Sequence, residues 1–422
     1  MLRHTLSASR KGVMALFFVL FILSIGAPSL ATSREIFLGM SAAFTGPSRD
    51  LGCKLYLGAM TYLHHVNKQG GVHGNTLVLL TLDDGYNPEP TIANTIRFVH
   101  QDDVFCLFNY VGTPTVTRML PLLRKYASRP LYLLFPFTGA QPQREPPYDQ
   151  LVFDFRTSYQ AEVKALVELF VQRGYSRFAI LYQADAYGRS GWQSTKKALA
   201  RHDLTFVGQA SYRRGQSFED SFAPQVSILK PTNPEVIISI AASEAAAGFI
   251  RDARDQGMHV PIANISFVDP NTLINLLGPL STSRSTNYFA NLINSQVVPF
   301  FADPDLPASR EYMRLIRTSH ELPHRPGCKM PLEHFLQPGP ISFEGFLNAK
   351  ILVRMLELMG PFPNPRDLPR AFAALDGEDI GIGHPLHVVP GHSQIANRVH
   401  FISFDNATMF PVDSQTFQVT DP

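Results

Sequence analysis

The sequence predicts an α/β protein built from two doubly wound, mostly parallel sheets, and three observations carry that reading. Apolar runs of strand length alternate with stretches whose apolar residues recur at helical spacing, punctuated by Gly, Pro or Asp. The alternation runs through twice, once before and once after about Phe155. At 422 residues the chain is long enough to close two full cores.

Ile36 to Ala43 reads as the first strand, with Phe44-Thr45-Gly46-Pro47 as its turn. Leu55, Gly58, Ala59, Tyr62, Leu63 and Val66 then share one helical face, which Gly70-Gly71 ends. Leu77 to Leu82 is a second strand, closed by Asp83-Asp84, and Pro88 and Pro90 open a helix with Ile92, Ile96 and Val99 inward. A buried strand from Val104 turns through Gly112, Thr113, Pro114 and Thr115 into a helix reaching Tyr126. Thr113 suits the N-cap, and Pro114 the first helical position, where a missing N–H costs nothing. Leu131 to Phe135 is the fourth strand.

The second series begins with a helix bearing Tyr159, Val163, Leu166, Val167 and Phe170, ended by Gly174. Strands follow at Phe178 to Tyr182, around Phe206 and at Val236 to Ile240, with helices from about Gly188 and near Phe218 to Leu229. Ser243 reads as the cap of a helix carrying Phe249, Ile250 and Ala253, closed by Gly257. After about Asn287 the rhythm loosens. Residues 318–341, rich in Pro and Gly and containing Cys328, read as a surface insertion, Phe343 to Met359 as a helix, and Val399 to Phe404 as a β-like run.

Charged residues make up 17% of the chain and the formal net charge is +2, with no basic stripe, so nucleic acid is not an expected partner. Arg3, Arg10 and Lys11 precede an apolar run from Val13 to Ile25, and Ser29-Leu30-Ala31 ends in the small residue a signal peptidase needs. Residues 1–31 therefore read as a cleavable signal peptide, with an uncleaved anchor as the alternative, and the chain is expected in the periplasm. No Cys stands at the cut to take a lipid. Cys53, Cys106 and Cys328 are too few for a disulfide framework; Cys106 fits a buried apolar filler, and one pair of the three can form in an oxidising compartment.

No nucleophile elbow, phosphate loop or zinc motif is present; Gly188-Arg189-Ser190-Gly191 has the wrong spacing for the first, so no enzyme is expected. His384, His387 and His392 are unevenly spaced and make no metal site, and no cofactor is implied. Asp83-Asp84 read as acceptors for loop and helix-start N–H groups. Four strand ends offer small or hydroxyl-bearing residues: Gly112-Thr113, Phe137-Thr138-Gly139-Ala140, Asp185-Ala186-Tyr187-Gly188 and Ile265-Ser266-Phe267. In doubly wound sheets ligands settle at such carboxyl edges, so these turns are expected to line a cleft.

Phe44-Thr45-Gly46-Pro47, Val66-Asn67-Lys68-Gln69-Gly70-Gly71-Val72-His73-Gly74, Asp83-Asp84-Gly85-Tyr86-Asn87-Pro88, Tyr182-Gln183-Ala184-Asp185-Ala186-Tyr187-Gly188, Ala253-Arg254-Asp255-Gln256-Gly257 and Glu344-Gly345-Phe346 follow one another in a telling order. In these the chain resembles the type I periplasmic solute-binding proteins of the leucine/isoleucine/valine class, which serve ABC importers. The resemblance implies two lobes joined by three crossovers, near Phe155, Asn287 and Gly383. Lobe 1 would comprise 32–155 and 288–382, and lobe 2 156–287 and 383–422. It implies a monomer that closes on a small-molecule ligand and docks on a membrane permease; a sensor presenting its ligand to a receptor kinase is the alternative. Leu51, Gly112, Thr113, Thr115, Phe137, Thr138, Gly139 and Ala140 would face the ligand from lobe 1, and Tyr187 and Ser266 from lobe 2. Amino-acid binders of the class place an acid where this chain has Ser266, and the nearest carboxylate in sequence is Asp269; a bulky second-lobe position is Ala242 or Ser243. A carboxylate, amide or larger apolar ligand is therefore expected to fit better than an α-amino acid, because an ammonium without a counter-ion costs several kcal/mol to bury.

Overall fold

The computed structural model describes residues 34–126, 130–322, 326–389, 391–395 and 398–413; the expected leader over 1–31 lies outside them. Two sheets organise the unit Glu35–Pro422. The first contains β1 (Glu35–Ala42), β2 (Thr76–Asp83), β3 (Cys106–Phe108), β4 (Leu133–Leu134) and β5 (Val152–Phe153), in the order β2-β1-β3-β4-β5 and parallel throughout. The second contains β6 (Phe178–Gln183), β7 (Phe206–Tyr212), β8 (Val236–Ile240), β9 (Ile262–Asn264) and β10 (Leu292–Gln296), parallel, followed by the antiparallel hairpin β11 (His400–Asp405) and β12 (Thr408–Val412). Its order is β12-β11-β10-β9-β8-β6-β7. Covered on both faces, the central strands read as unbroken apolar runs; every residue of β8 is buried.

Two crossovers fall later than expected. Strand β10 pairs with β9, so the chain leaves the second sheet after Gln296 and not near Asn287. Gln394 bridges Asp154 beside β5, and Leu386 N donates to Glu378 O at 2.7 Å, so the tail keeps to the first lobe beyond Gly383. It joins the second sheet only at β11.

Helices α1 (Arg49–Lys68), α2 (Pro88–His100) and α3 (Thr113–Lys125) belong to the first lobe, and α4 (Tyr159–Val171), α5 (Ala186–Ala200), α6 (Ala223–Leu229), α7 (Ser243–Asp255) and α8 (Pro270–Arg284) to the second. On α2 the inward face is Thr91, Thr95, Phe98 and Val99, while Ile96 is 41% exposed, a rotation the apolar residues alone did not reveal. Ser243 is the first residue of α7 and not its cap; its hydroxyl instead accepts from Asp269 N at 3.0 Å.

The loosened region holds α9 (Pro307–Ile316), α10 (Leu332–Leu336), α11 (Pro340–Met359) and α12 (Leu368–Ala373). Helix α11 lies tightly on α1 through Gly58 and Gly345: a Cβ on Gly58 would stand 1.6 Å from Ser342 O, and one on Gly345 2.2 Å from Leu55 O. The insertion is pinned to α1 by a disulfide between Cys53 and Cys328. Lys54 Nζ donates to the carbonyls of Gln337 (2.9 Å), Phe335 (3.3 Å) and His334. On the other side Asn271 and Asn275 of α8 donate to Pro338 O (2.8 Å) and Gln337 Oε1 (3.0 Å), so the insertion touches both lobes. Cys328→Ser is expected to cost about 2–5 kcal/mol of unfolding free energy, because the bond constrains a long loop in the unfolded chain. Equal urea midpoints for the oxidised wild type and the variant would contradict this.

Candidate functional site

The carboxyl edges of the two sheets meet where the sequence placed its four strand ends. Gly112, at φ +103°, is the N-cap of α3, and a Cβ there would lie 2.2 Å from the Tyr86 ring. Thr113 is therefore the first helical residue and not the cap, which frees its hydroxyl to bond Thr138 Oγ1 at 2.7 Å. Ala140 N donates to that same Thr138 oxygen at 3.3 Å. Gly139 lets the second lobe approach: Tyr159 N donates to its carbonyl at 2.7 Å, and a Cβ would meet Tyr159 N at 2.6 Å.

From the second lobe, Asp185 caps α5 by accepting from Tyr187 N (2.9 Å) and Gly188 N (3.2 Å). That fixes Tyr187, whose hydroxyl donates to Ala241 O at 3.1 Å. Phe267 inserts between the lobes, its ring centroid 4.5 Å from Tyr187, 5.5 Å from Phe137 and 6.0 Å from Tyr86. Tyr159 packs on Tyr187 at 5.4 Å, and all five rings are buried.

Beneath the rings lies a charged group that single-sequence reasoning did not find. Arg156, in the first crossover, is 1% exposed and stands 4.0 Å above the Phe137 ring. Its Nε and Nη2 grip both oxygens of Glu344 on α11 at 2.9 Å, and its Nη1 donates to Ser266 Oγ at 2.7 Å. Burial opposes the guanidinium charge, but Glu344 and then Glu162 outweigh it and hold Arg156 protonated above its ordinary value. Ser266 N donates to Glu162 Oε2 at 2.9 Å. The expectation that no counter-ion stands near Ser266 is thus corrected: two carboxylates reach it or its arginine from helices distant in sequence. Glu162 shares the helical face of Tyr159 and Leu166, but as a charged residue it reads in sequence as a surface group.

Of the expected residues, Gly112, Thr113, Phe137, Thr138, Gly139, Ala140, Tyr187 and Ser266 come together here. Leu51 is fully buried on α1, and Thr115 spends its hydroxyl on Gly112 O (2.8 Å) and Val111 O, so neither adds a polar group to the cluster. Asp83 accepts from the loop donors Phe44 N, Thr45 and Gly85 N, and Asp84 from Tyr86 N in the loop, Ser41 of β1 and Thr91 in the first turn of α2. Between α3 and α5 a groove of about 380 Å3 opens to solvent, lined by Thr113, Ala140 and Gln141 on one side and Gln160, Ala186 and Arg189 on the other. A larger hollow of about 450 Å3, lined by Gln296, Val298, Gly383 and His400 among others, shares no residue with the cluster. Among the described residues no group of His, Cys, Asp and Glu is placed to hold a metal ion, and no helix is long and apolar enough to cross a membrane.

The family model described as periplasmic binding protein matches residues 35–403. This chain belongs to the type I periplasmic binding proteins of the leucine/isoleucine/valine class. The crystal structure of a possible leucine/isoleucine/valine-binding protein from Rhodopirellula baltica superposes with a TM-score of 0.79 at 26% identity, over 91% of this chain and 98% of that one. Two curated relatives are an amino acid binding protein of Pseudomonas aeruginosa, 23% identical over 250 residues, and Leu/Ile/Val-binding protein homolog 3 of Brucella melitensis, 27% identical over 243. These alignments take in 59% and 57% of this chain and span 64% and 63% of the relatives' own lengths, less than two thirds.

Proposed function

We propose that this protein is an extracytoplasmic solute-binding protein, without enzymatic activity, that holds a small organic ligand between its lobes and delivers it to an ABC importer. The observation that carries the reading is the Thr113–Thr138 hydroxyl pair of the first lobe facing Tyr159 and Tyr187 of the second, inside a wall of rings. A ligand bonded by both lobes favours the closed arrangement by as much as it binds that arrangement better. The names of the curated relatives support a branched-chain amino acid as the ligand; a related amide or a larger apolar carboxylate is the alternative that Ser266, in place of an acid, favours. The leader-like residues 1–31 support the periplasm as its place of work. Thr113→Val is expected to weaken ligand binding by about 1–3 kcal/mol, measured by titration calorimetry. Unchanged affinity in a folded variant removes Thr113 from the site. The absence of any ligand-dependent thermal shift across amino acids, carboxylates and amides would refute the reading as a whole.

Closure on this reading is pH-dependent. At the seam between α1 and the second lobe, Arg49 pairs with Glu244 at 3.1 Å, and Thr272 Oγ1 donates to Asp50 Oδ2 at 3.2 Å. Burial, then the facing Asp269, raise the Asp50 carboxyl from 3.8 to about 7, with Lys54 and Glu244 also at hand. The closed seam holds a proton that a solvated Asp50 gives up, so its contribution is complete below about pH 4 and is lost as pH rises through about 7. Ligand dissociation is therefore expected to quicken across that window and to become flat in Asp50→Asn; stopped-flow release rates that do not depend on pH in the wild type would contradict this.

A further inference from the structure

We propose that a second binding site, for a neutral molecule carrying a carboxamide or lactam on an apolar body, lies where the chain crosses between the lobes. It stands apart from the ring-lined cleft and goes beyond the solute-binding reading.

The site is the hollow of about 450 Å3 described above, a size within the range of small-molecule pockets. Its walls come from the end of β10, the second crossover, the tail around Gly383 and the start of β11. Gln296 and His400 are register partners across β10 and β11, so their side chains leave the sheet on the same face. The preceding Ser295 spends its hydroxyl on Glu162 at 2.7 Å, and the pleat therefore turns Gln296 away from the charged group beneath the rings.

Three side-chain nitrogens of these walls are shielded from bulk solvent and lack hydrogen-bond partners: Gln296 Nε2, His384 Nε2 and His400 Nε2. Gln296 is 4% exposed, and an amide nitrogen can only donate, so its N–H calls for an acceptor. His384 supplies the complement. Its Nδ1 faces Pro385 O at 3.0 Å, and because a carbonyl only accepts, the neutral ring keeps its proton there and offers Nε2 as an acceptor. Burial, then His384 and Arg398, push the His400 imidazole down to about 4, so that ring is uncharged at neutral pH. Its Nε2 takes whichever role its tautomer gives.

Charge selects against ions. Besides the histidines, the ionisable groups at the wall are Arg398, Asp303 and Asp413, one cation against two carboxylates. An anion adds to that excess, and a cation, although it would gain from it, leaves the Gln296 N–H without an acceptor. A carbonyl oxygen beside an N–H satisfies the donor of Gln296 and the acceptor of His384 together. A carboxylic acid shows the same pattern only while protonated, which at neutral pH it is not. Val298, Phe300, Leu306, Pro340 and Ile382 line the rest and suit an apolar body.

The test is a ligand-observed NMR titration of the full chain with benzamide, acetophenone, benzoate and benzylamine. The wild type is expected to bind benzamide roughly tenfold more tightly than each of the other three, about the worth of one buried hydrogen bond. His384→Ala, at a partly exposed loop position, is expected to bring benzamide down to the level of acetophenone. Gln296→Leu is expected to weaken benzamide and acetophenone alike, roughly tenfold. Equal or tighter binding of acetophenone, benzoate or benzylamine by the wild type overturns the proposal, and that comparison needs no variant to fold. Unchanged benzamide affinity in folded Gln296→Leu also overturns it, because the amide then sits elsewhere. If benzamide does not bind saturably, water fills the hollow and this proposal falls, while the reading of the cleft stands.

Discussion

Arg156→Met is expected to lower the unfolding free energy by about 3–5 kcal/mol, read from the urea midpoint at unchanged slope. The arginine is 1% exposed, and its removal strands Glu344 and Glu162 without a cation in a place water does not reach. Truncating one member of a buried ionic group costs far more than replacing the whole group, because the leftover charge keeps its desolvation penalty. The double variant Arg156→Met with Glu344→Leu is therefore expected to recover part of the loss. A single-variant loss below about 1 kcal/mol would mean the guanidinium behaves like a surface ion pair and that solvent reaches it. Arg156 joins the first crossover, α11 of the first lobe and Ser266 of the second, so its loss is also expected to loosen the arrangement of the lobes.

The second large effect is steric. Gly58→Val is expected to destabilise by at least about 3 kcal/mol, at the upper end of overpacking costs. The obstacle is backbone, Ser342 O at 1.6 Å from the added Cβ, and no side-chain rotation relieves it; α11 has to lift off α1. Gly278 in α8 supplies the contrast. An added Cβ there would find only Ala407 Cβ at 3.6 Å, so Gly278→Ala is expected to stabilise by about 0.4–1 kcal/mol through helix propensity and a less free unfolded chain. Thermal unfolding of the two variants should move in opposite directions; a destabilised Gly278→Ala or a neutral Gly58→Val would contradict the packing described.

The parts of this protein that were legible in its sequence are those in which local pattern and tertiary role coincide. β6 and β8 are apolar runs because both faces of their sheet are covered, and Thr113, Thr138 and Tyr187 could be picked out because strand ends carry their own punctuation. β10 escaped notice because it reads Leu-Ile-Asn-Ser-Gln: three buried polar residues that only partners on other elements make tolerable, as Asn294 does by accepting from Asn264 at 3.0 Å. β5 holds two residues, too short for any period to register, whereas β4 falls inside the expected strand Leu131 to Phe135. The charge balance of the site was hidden for a similar reason. Arg156, Glu162 and Glu344 look like ordinary surface charges in sequence and become a group only when the crossover, α4 and α11 converge. The partnership of Cys53 with Cys328, 275 residues apart, is likewise set by the tertiary fold and by no local pattern.

The late-joining pieces of both lobes have a consequence for biogenesis. A nascent chain that has emerged only as far as β10 carries every parallel strand, yet α11 has not reached α1 and the β11–β12 hairpin has not covered the flank of β10. Its bare amides and carbonyls would offer a template on which copies could stack. Completion of both lobes therefore waits for the C-terminal segment, and a product truncated before His400 should accumulate as aggregate while the full-length polypeptide matures.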